Sequence, residues 1–160
     1  MRIELKKGKD GRPNLACVRA DGSRTWAKMH PFFPVHDLTH CAVESVFGFT
    51  EAFFGLVAGG RELDDFQQAG TSAWLPPEAM WAECIVGLFD VERGSGEMLG
   101  AAEFSAALDD VLRNAGALPF RAMTDDELTR VRTLRGALTA RWNDAAPGET
   151  LTVPFPAPDA

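Results

Sequence analysis

The chain has 160 residues, 46% of them hydrophobic and 24% charged, which fits one domain with its own packed core. Its net charge of −7 argues against a nucleic-acid partner, because proteins that bind a phosphate backbone need clustered Lys and Arg. The three cysteines lack paired spacing and the N-terminus is charged where a signal peptide is apolar, so we expect a soluble, cytoplasmic chain without a membrane span.

Short segments with alternating polarity open the chain and predict a small antiparallel meander. Three of them have the period of half-buried strands and are separated by turn formers, at residues 2–7, 14–20 and 24–29. Near the C-terminus, residues 147–156 (PGETLTVPFP) predict a turn and a final short strand that could return to this sheet.

Helical periodicity begins at Pro34, which suits the first position of a helix. It runs to a stop at Gly59–Gly60, and Gly48 leaves open a break into two shorter helices. Further helices are predicted over residues 77–93 and 101–116, and from the capping box at Thr124 onward. The predicted fold is α+β: a small antiparallel sheet packed with four to five helices. We expect a single domain over residues 1–156 and a disordered tail at residues 157–160.

Two histidines, His36 and His40, lie four residues apart on the first predicted helix, and Glu44 follows four residues later. Residues at this spacing are neighbours on a helix, so the two imidazoles can converge on one cation, as they do in zinc sites. Glu44 could bind the ion or hold His40 by a hydrogen bond, and Asp37 could play either role. We therefore predict a divalent-metal site, with zinc as the expected ion, on the two histidines. A carboxylate from Asp37, Glu44 or Glu51 would complete it.

Two residues elsewhere are further ligand candidates. Glu83 lies off the apolar stripe of the helix predicted over residues 77–93 and could face the first helix. His30 precedes the first helix and could fold back toward it.

The stretch HDLTH, which contains both histidines, resembles the HDxxH element of the zinc-binding ubiquinone-biosynthesis accessory family. That resemblance implies metal ligands at His36, Asp37 and His40. In the family pattern eleven residues and then a Glu follow, whereas here Glu51 follows after ten and Ala52 occupies the family's position. A slip of one residue turns a side chain by about 100° around a helix. The stretch also resembles a class of small uncharacterised bacterial proteins with an HDLTH helix, which implies no known activity.

Two functions remain open at this point. If the metal keeps an open coordination position, it could activate water for hydrolysis of a small-molecule substrate, with Glu44 as general base. If four protein ligands close the site, the ion is structural. The alternative is a non-catalytic binding module or homo-oligomeric assembly module, in which the His/Glu cluster only stabilises the fold.

Overall fold

The computed structural model describes residues 1–10, 12–31, 33–68, 70 and 75–156. These residues form a four-stranded antiparallel sheet and five α-helices, so the predicted α+β class is confirmed. Residues 157–160, predicted to be a disordered tail, lie outside the described residues. The assignment of residues 1–156 to a single domain stays a prediction.

The sheet brings the two ends of the chain together. Its strands are β1 (Arg2–Lys6), β2 (Asn14–Val18), β3 (Arg24–Lys28) and β4 (Thr150–Pro154), and they lie in the order β3, β2, β1, β4. Ile3 is opposite Cys17 on one side and Val153 on the other, and all three side chains are buried in the core. The final strand therefore returns to the N-terminal sheet, next to β1.

The helices follow one another between β3 and β4. They are α1 (Phe33–Phe47), α2 (Phe53–Ala58), α3 (Pro77–Ser95), α4 (Ala101–Asn114) and α5 (Asp125–Asp144), with a short 3₁₀-helix at Leu63–Gln67. In the part of the chain that the structure describes, none of the helices combines the length and the apolar character needed to cross a bilayer.

The helical segment is interrupted at Gly48, between α1 and α2, where the sequence analysis allowed for an interruption. Gly48 has φ +67°, a left-handed conformation that glycine adopts without steric cost. The next N–H, of Phe49, donates to the carbonyl oxygen of Glu44 at 2.9 Å, which closes the last turn of α1. The break turns the chain so that α2 can pack back against α1.

Helix α1 is the central element of the helical layer, and it contacts α2, α3 and α5. Its apolar residues Leu38, Cys41 and Ala42 are almost fully buried. His40 and Glu44 are buried as well, with 2% and 1% of their surfaces exposed. The polar side of α1 is therefore covered by protein, and its buried charged groups need partners.

Candidate metal centre

Helix α1 places His36 and His40 side by side. The two residues are one turn apart, and their ring centroids are 4.9 Å apart in an edge-to-face arrangement. Pro34 lies in the first turn of the helix, where its missing N–H leaves no hydrogen bond unmade. The predicted convergence of the two imidazoles is thus present in the structure.

Helix α3 brings two carboxylates to the same place. Glu83 and Asp90 are seven residues apart, which is about two helical turns, so both point from one side of α3. Oε1 of Glu83 lies 3.4 Å from Nε2 of His40, and Oδ2 of Asp90 lies 2.9 Å from Nδ1 of His36. The packing of α3 against α1 therefore joins the two carboxylates to the two histidines.

Three of these side chains form a group that could hold a metal ion: His36, His40 and Glu83. One ligand atom from each lies within 4.8 Å of the other two. Two ligand atoms on a tetrahedral ion, each about 2.0–2.1 Å from it, are about 3.3–3.5 Å apart. The observed 3.4 Å between Nε2 of His40 and Oε1 of Glu83 matches that spacing, and His36 lies within reach of the same ion.

Each histidine is held by a carboxylate at Nδ1. Asp90 holds His36, and Oε1 of Glu44 lies 3.3 Å from Nδ1 of His40. The other oxygen of Glu44 accepts a hydrogen bond from the N–H of Gly55 in α2 at 3.0 Å. A Cβ at Gly55 would lie 2.4 Å from the backbone of Thr50, so only glycine fits this close approach. The turn between α1 and α2 therefore fixes the orientation of the His40 ring through Glu44.

The site has one buried wall and one open side. The side chain of Glu44 is fully buried and that of His40 is 3% exposed, whereas that of Glu83 is 53% exposed. His36 and Asp90 are intermediate, with about a quarter of each side chain exposed. An ion bound by the group would be reached from solvent past Glu83.

The carboxylates set the protonation of the ion-free site. Burial lowers the pKa of His40, but the carboxylates of Glu44 and Glu83 outweigh it and raise the pKa to about 10. Burial raises the pKa of Glu83, but His40 and then His36 outweigh burial and lower the pKa. For Asp90, burial is likewise outweighed by His36, which lowers the pKa of the carboxyl. The two carboxylates therefore favour the charged imidazolium form of His40 over the neutral ring.

Asp37 and Glu51, the other predicted ligands, lie outside the group of three. Asp37 is 9% exposed, and burial raises its pKa to about 7 although the two neighbouring histidines lower it. Glu51 is exposed in the turn before α2, where its N–H donates to Oε2 of Glu78 at 2.7 Å. The ligand roles of Asp37, Glu44 and Glu51 stay predictions. His30, the third histidine, is exposed and packs its ring against Phe33.

Two residues of the candidate site are only weakly indicated by the sequence. Glu83 is predicted only as a secondary ligand candidate, and no pattern in the sequence singles out Asp90. The two residues share one face of α3 because of their spacing, and this signal is present in the sequence. Two acidic residues two turns apart become informative only when α3 is known to pack against the histidine side of α1.

The three cysteines contribute no reactive group. Cys17, Cys41 and Cys84 are free and buried. Burial raises the pKa of Cys17 and of Cys41 to about 12, and it raises that of Cys84 as well. A thiol with a raised pKa is a poor nucleophile and metal ligand, so Cys41 is a core residue in spite of its position next to His40.

The fold and the site together define an α+β protein with a candidate His/His/Glu metal centre between two helices. Comparison of the chain with models of protein families, with curated proteins and with solved structures found no match. The geometry of the site is therefore what points to a function.

Proposed function

We propose that the chain binds one divalent metal ion, with zinc as the expected ion, through Nε2 of His36, Nε2 of His40 and the carboxylate of Glu83. The observation that carries this proposal is the pairing of both imidazoles with carboxylates at Nδ1, at 2.9 and 3.3 Å. Metal-binding histidines commonly donate their second ring N–H to a carboxylate, which fixes the tautomer and leaves the other nitrogen for the metal.

The charge around the site also supports a cation. Glu83 and Asp90 approach from α3, and Glu44 approaches from α1, so three carboxylates contact the two histidines. A bound divalent ion would offset their mutual repulsion. The resemblance of HDLTH to a zinc-binding family agrees with His36 and His40 as ligands, and its assignment of Asp37 as a third remains a proposal.

We further propose that the site is catalytic and that the protein is a metal-dependent hydrolase. Three protein ligands and an open fourth position are typical of catalytic zinc, whereas structural zinc is enclosed by four. When bound in such a site, zinc lowers the pKa of a coordinated water and polarises a carbonyl or phosphoryl oxygen. The side chain of Glu83 is 53% exposed, so an ion held there would keep one side open to water.

Within this proposal Glu44 is a positioning residue. Both of its oxygens are engaged, one with His40 and one with the N–H of Gly55, and its side chain is fully buried. A general-base role, as the sequence predicted, would require Glu44 to exchange its contact with His40 for one with water. The contacts favour the first role.

The test is elemental analysis of protein purified without an affinity tag or added metal. About one equivalent of metal is expected in the wild type and none in the His36→Ala/His40→Ala double variant. The matched control is His30→Ala, which removes the histidine outside the group and should keep the metal. A wild type that holds no ion, and that fails to bind zinc, manganese, iron or nickel at saturating concentration, would refute the proposal.

One observation favours a second candidate, a non-catalytic module with a structural His/Glu cluster. Both ring nitrogens of His40 have carboxylate partners in the ion-free chain, so the cluster satisfies its own buried groups. In that case added zinc would leave the melting temperature unchanged, whereas an ion that binds the folded state alone would raise it. Homo-oligomer formation, which this candidate would use, stays a prediction.

A further inference from the structure

A cavity of about 350 Å³ lies beside the candidate metal centre. Its walls come from the inner face of the sheet, the start of α1, the start of α2 and the 3₁₀-helix. Its lining residues include Ala27, Lys28, Phe33, Asp37, Phe53 and Phe66. The volume is at the small end of the range for ligand pockets in proteins, which is about 300–1,000 Å³.

The cavity and the metal centre share two aromatic walls. The ring of Phe33 packs against His36 with centroids 6.2 Å apart, and the ring of Phe53 packs against His40 at 5.8 Å. Both phenylalanines also line the cavity. A molecule inside the cavity would therefore contact the same two rings that pack against the imidazoles.

The lining of the cavity favours an uncharged, flat group. Phenylalanines from three different elements face it, and two of them, Phe53 and Phe66, already meet edge to face with centroids 4.8 Å apart. Aromatic rings prefer such edge-to-face or offset contacts with further rings. Asp37 and Lys28 also line the cavity, one acidic and one basic residue, so the aromatic side chains rather than a net charge define its preference.

We propose that this cavity binds the aromatic part of a small substrate whose polar group reaches the His36/His40/Glu83 site. The proposal rests on the proposed function, and it deepens that function by naming a substrate class: small aryl compounds with a hydrolysable carbonyl group. The cavity supplies affinity through apolar contact, and the metal site binds the reacting group.

Two hydroxamic acids test the proposal, because their chelating group is the same and only the attached body differs. Benzohydroxamate carries a phenyl ring and acetohydroxamate carries a methyl group. Their affinities for the zinc-bound protein are measured by calorimetry. Burial of a phenyl ring in an apolar cavity should make benzohydroxamate bind at least about tenfold more tightly than acetohydroxamate.

Three variants show whether the preference comes from the cavity. Ala27→Leu fills it from β3, and Phe66→Ala removes one of its aromatic walls; each should reduce the affinity ratio to about 1–3. Ala16→Leu is the matched control, because Ala16 lies on β2 and faces the opposite side of the sheet. It should keep the wild-type ratio. The zinc content of every variant is measured first, and neither Ala27 nor Phe66 belongs to the metal group.

The outcomes separate the two proposals. A wild type that binds zinc but shows an affinity ratio near 1 overturns the cavity proposal and leaves the metal site intact. A tenfold ratio that persists in both Ala27→Leu and Phe66→Ala overturns it too, because the ring then binds elsewhere. A wild type that binds no zinc overturns the proposed function, and the cavity proposal with it.

Discussion

Replacement of Glu44 by Gln is expected to weaken zinc binding by about 10–100-fold without removal of a metal ligand. Oε1 of Glu44 lies 3.3 Å from Nδ1 of His40, and Oε2 accepts the N–H of Gly55 at 3.0 Å. A glutamine can still accept from Gly55 through its oxygen, but its amide then presents N–H to His40. Nδ1 of His40 must become the acceptor, and the imidazole proton moves to Nε2, the nitrogen that should bind the ion.

The size of the effect follows from the role of an orienting carboxylate. Loss of such a partner costs about 10–100-fold in metal affinity, which is about 1.4–2.7 kcal/mol. The measurement is competition for zinc against a chromophoric chelator, after circular dichroism has shown that the variant is folded. Glu51→Gln is the matched control, since Glu51 is an exposed glutamate close by in the chain.

A Glu44→Gln variant that binds zinc within about threefold of the wild type would refute the reasoning, because the tautomer of His40 would then not depend on Glu44. Complete loss of zinc would instead support Glu44 as a direct ligand, one of the roles that the sequence left open. The two outcomes differ by far more than the error of a competition assay.

Three further results are expected. Glu83→Gln should reduce zinc affinity by more than about 100-fold, whereas Glu51→Gln should leave it unchanged; the reverse pattern would make Glu51, one of the three carboxylates that the sequence leaves open, the third ligand. Zinc binding at pH 8 should release about one proton, because the pKa of His40 is raised to about 10 and the metal needs the neutral ring. Calorimetry in two buffers of different ionisation enthalpy measures the number of protons released. A release near zero contradicts the assignment of His40 as a ligand. Away from the site, hydrogen bonds from Arg121 lower the pKa of Glu127 from 4.5 to about 2, so this carboxylate stabilises the fold above pH 4.5 and the stabilisation is lost as the pH falls toward 2. Glu127→Gln should therefore cost about 1 kcal/mol in urea unfolding at pH 7 and clearly less at pH 3, and an equal cost at both values would show that the ion pair is not the cause.

The fold was predictable because local patterns and tertiary packing agree. Alternation in residues 2–7 puts Ile3 and Leu5 on one face, and the register of the sheet buries both. Gly48 has the left-handed conformation that only glycine adopts easily, so the break between α1 and α2 could be anticipated from one residue. Each of these signals depends on a few neighbouring residues and on no distant contact.

The site was predictable only on the side that lies within one helix. The spacing of His36 and His40 follows from helical geometry, so their convergence needed no knowledge of the fold. The contribution of Glu83 depends on which helix packs against α1, on the direction of that helix and on its position along the axis of α1. The sequence gives no local signal for any of these. Spacing near the histidines therefore leaves Asp37, Glu44 and Glu51 as alternatives, and none of these three is in the group of His36, His40 and Glu83.

The contact between His40 and Glu83 suits both a shared proton and a bound metal ion, and it affects which ions can bind. Nε2 of His40 lies 3.4 Å from Oε1 of Glu83, which suits a shared proton and is also close to the ligand spacing of a tetrahedral ion. An ion can thus replace the proton with little rearrangement. Removal of a proton from His40, whose pKa the two carboxylates raise, opposes binding at neutral pH. Imidazole nitrogen suits zinc, copper, nickel and iron, whereas magnesium and calcium prefer oxygen ligands. The cost of removing the proton from His40 should therefore exclude magnesium and calcium first. The carboxylates that hold His40 in place therefore favour a transition metal at this site, and the affinity for it should rise with pH.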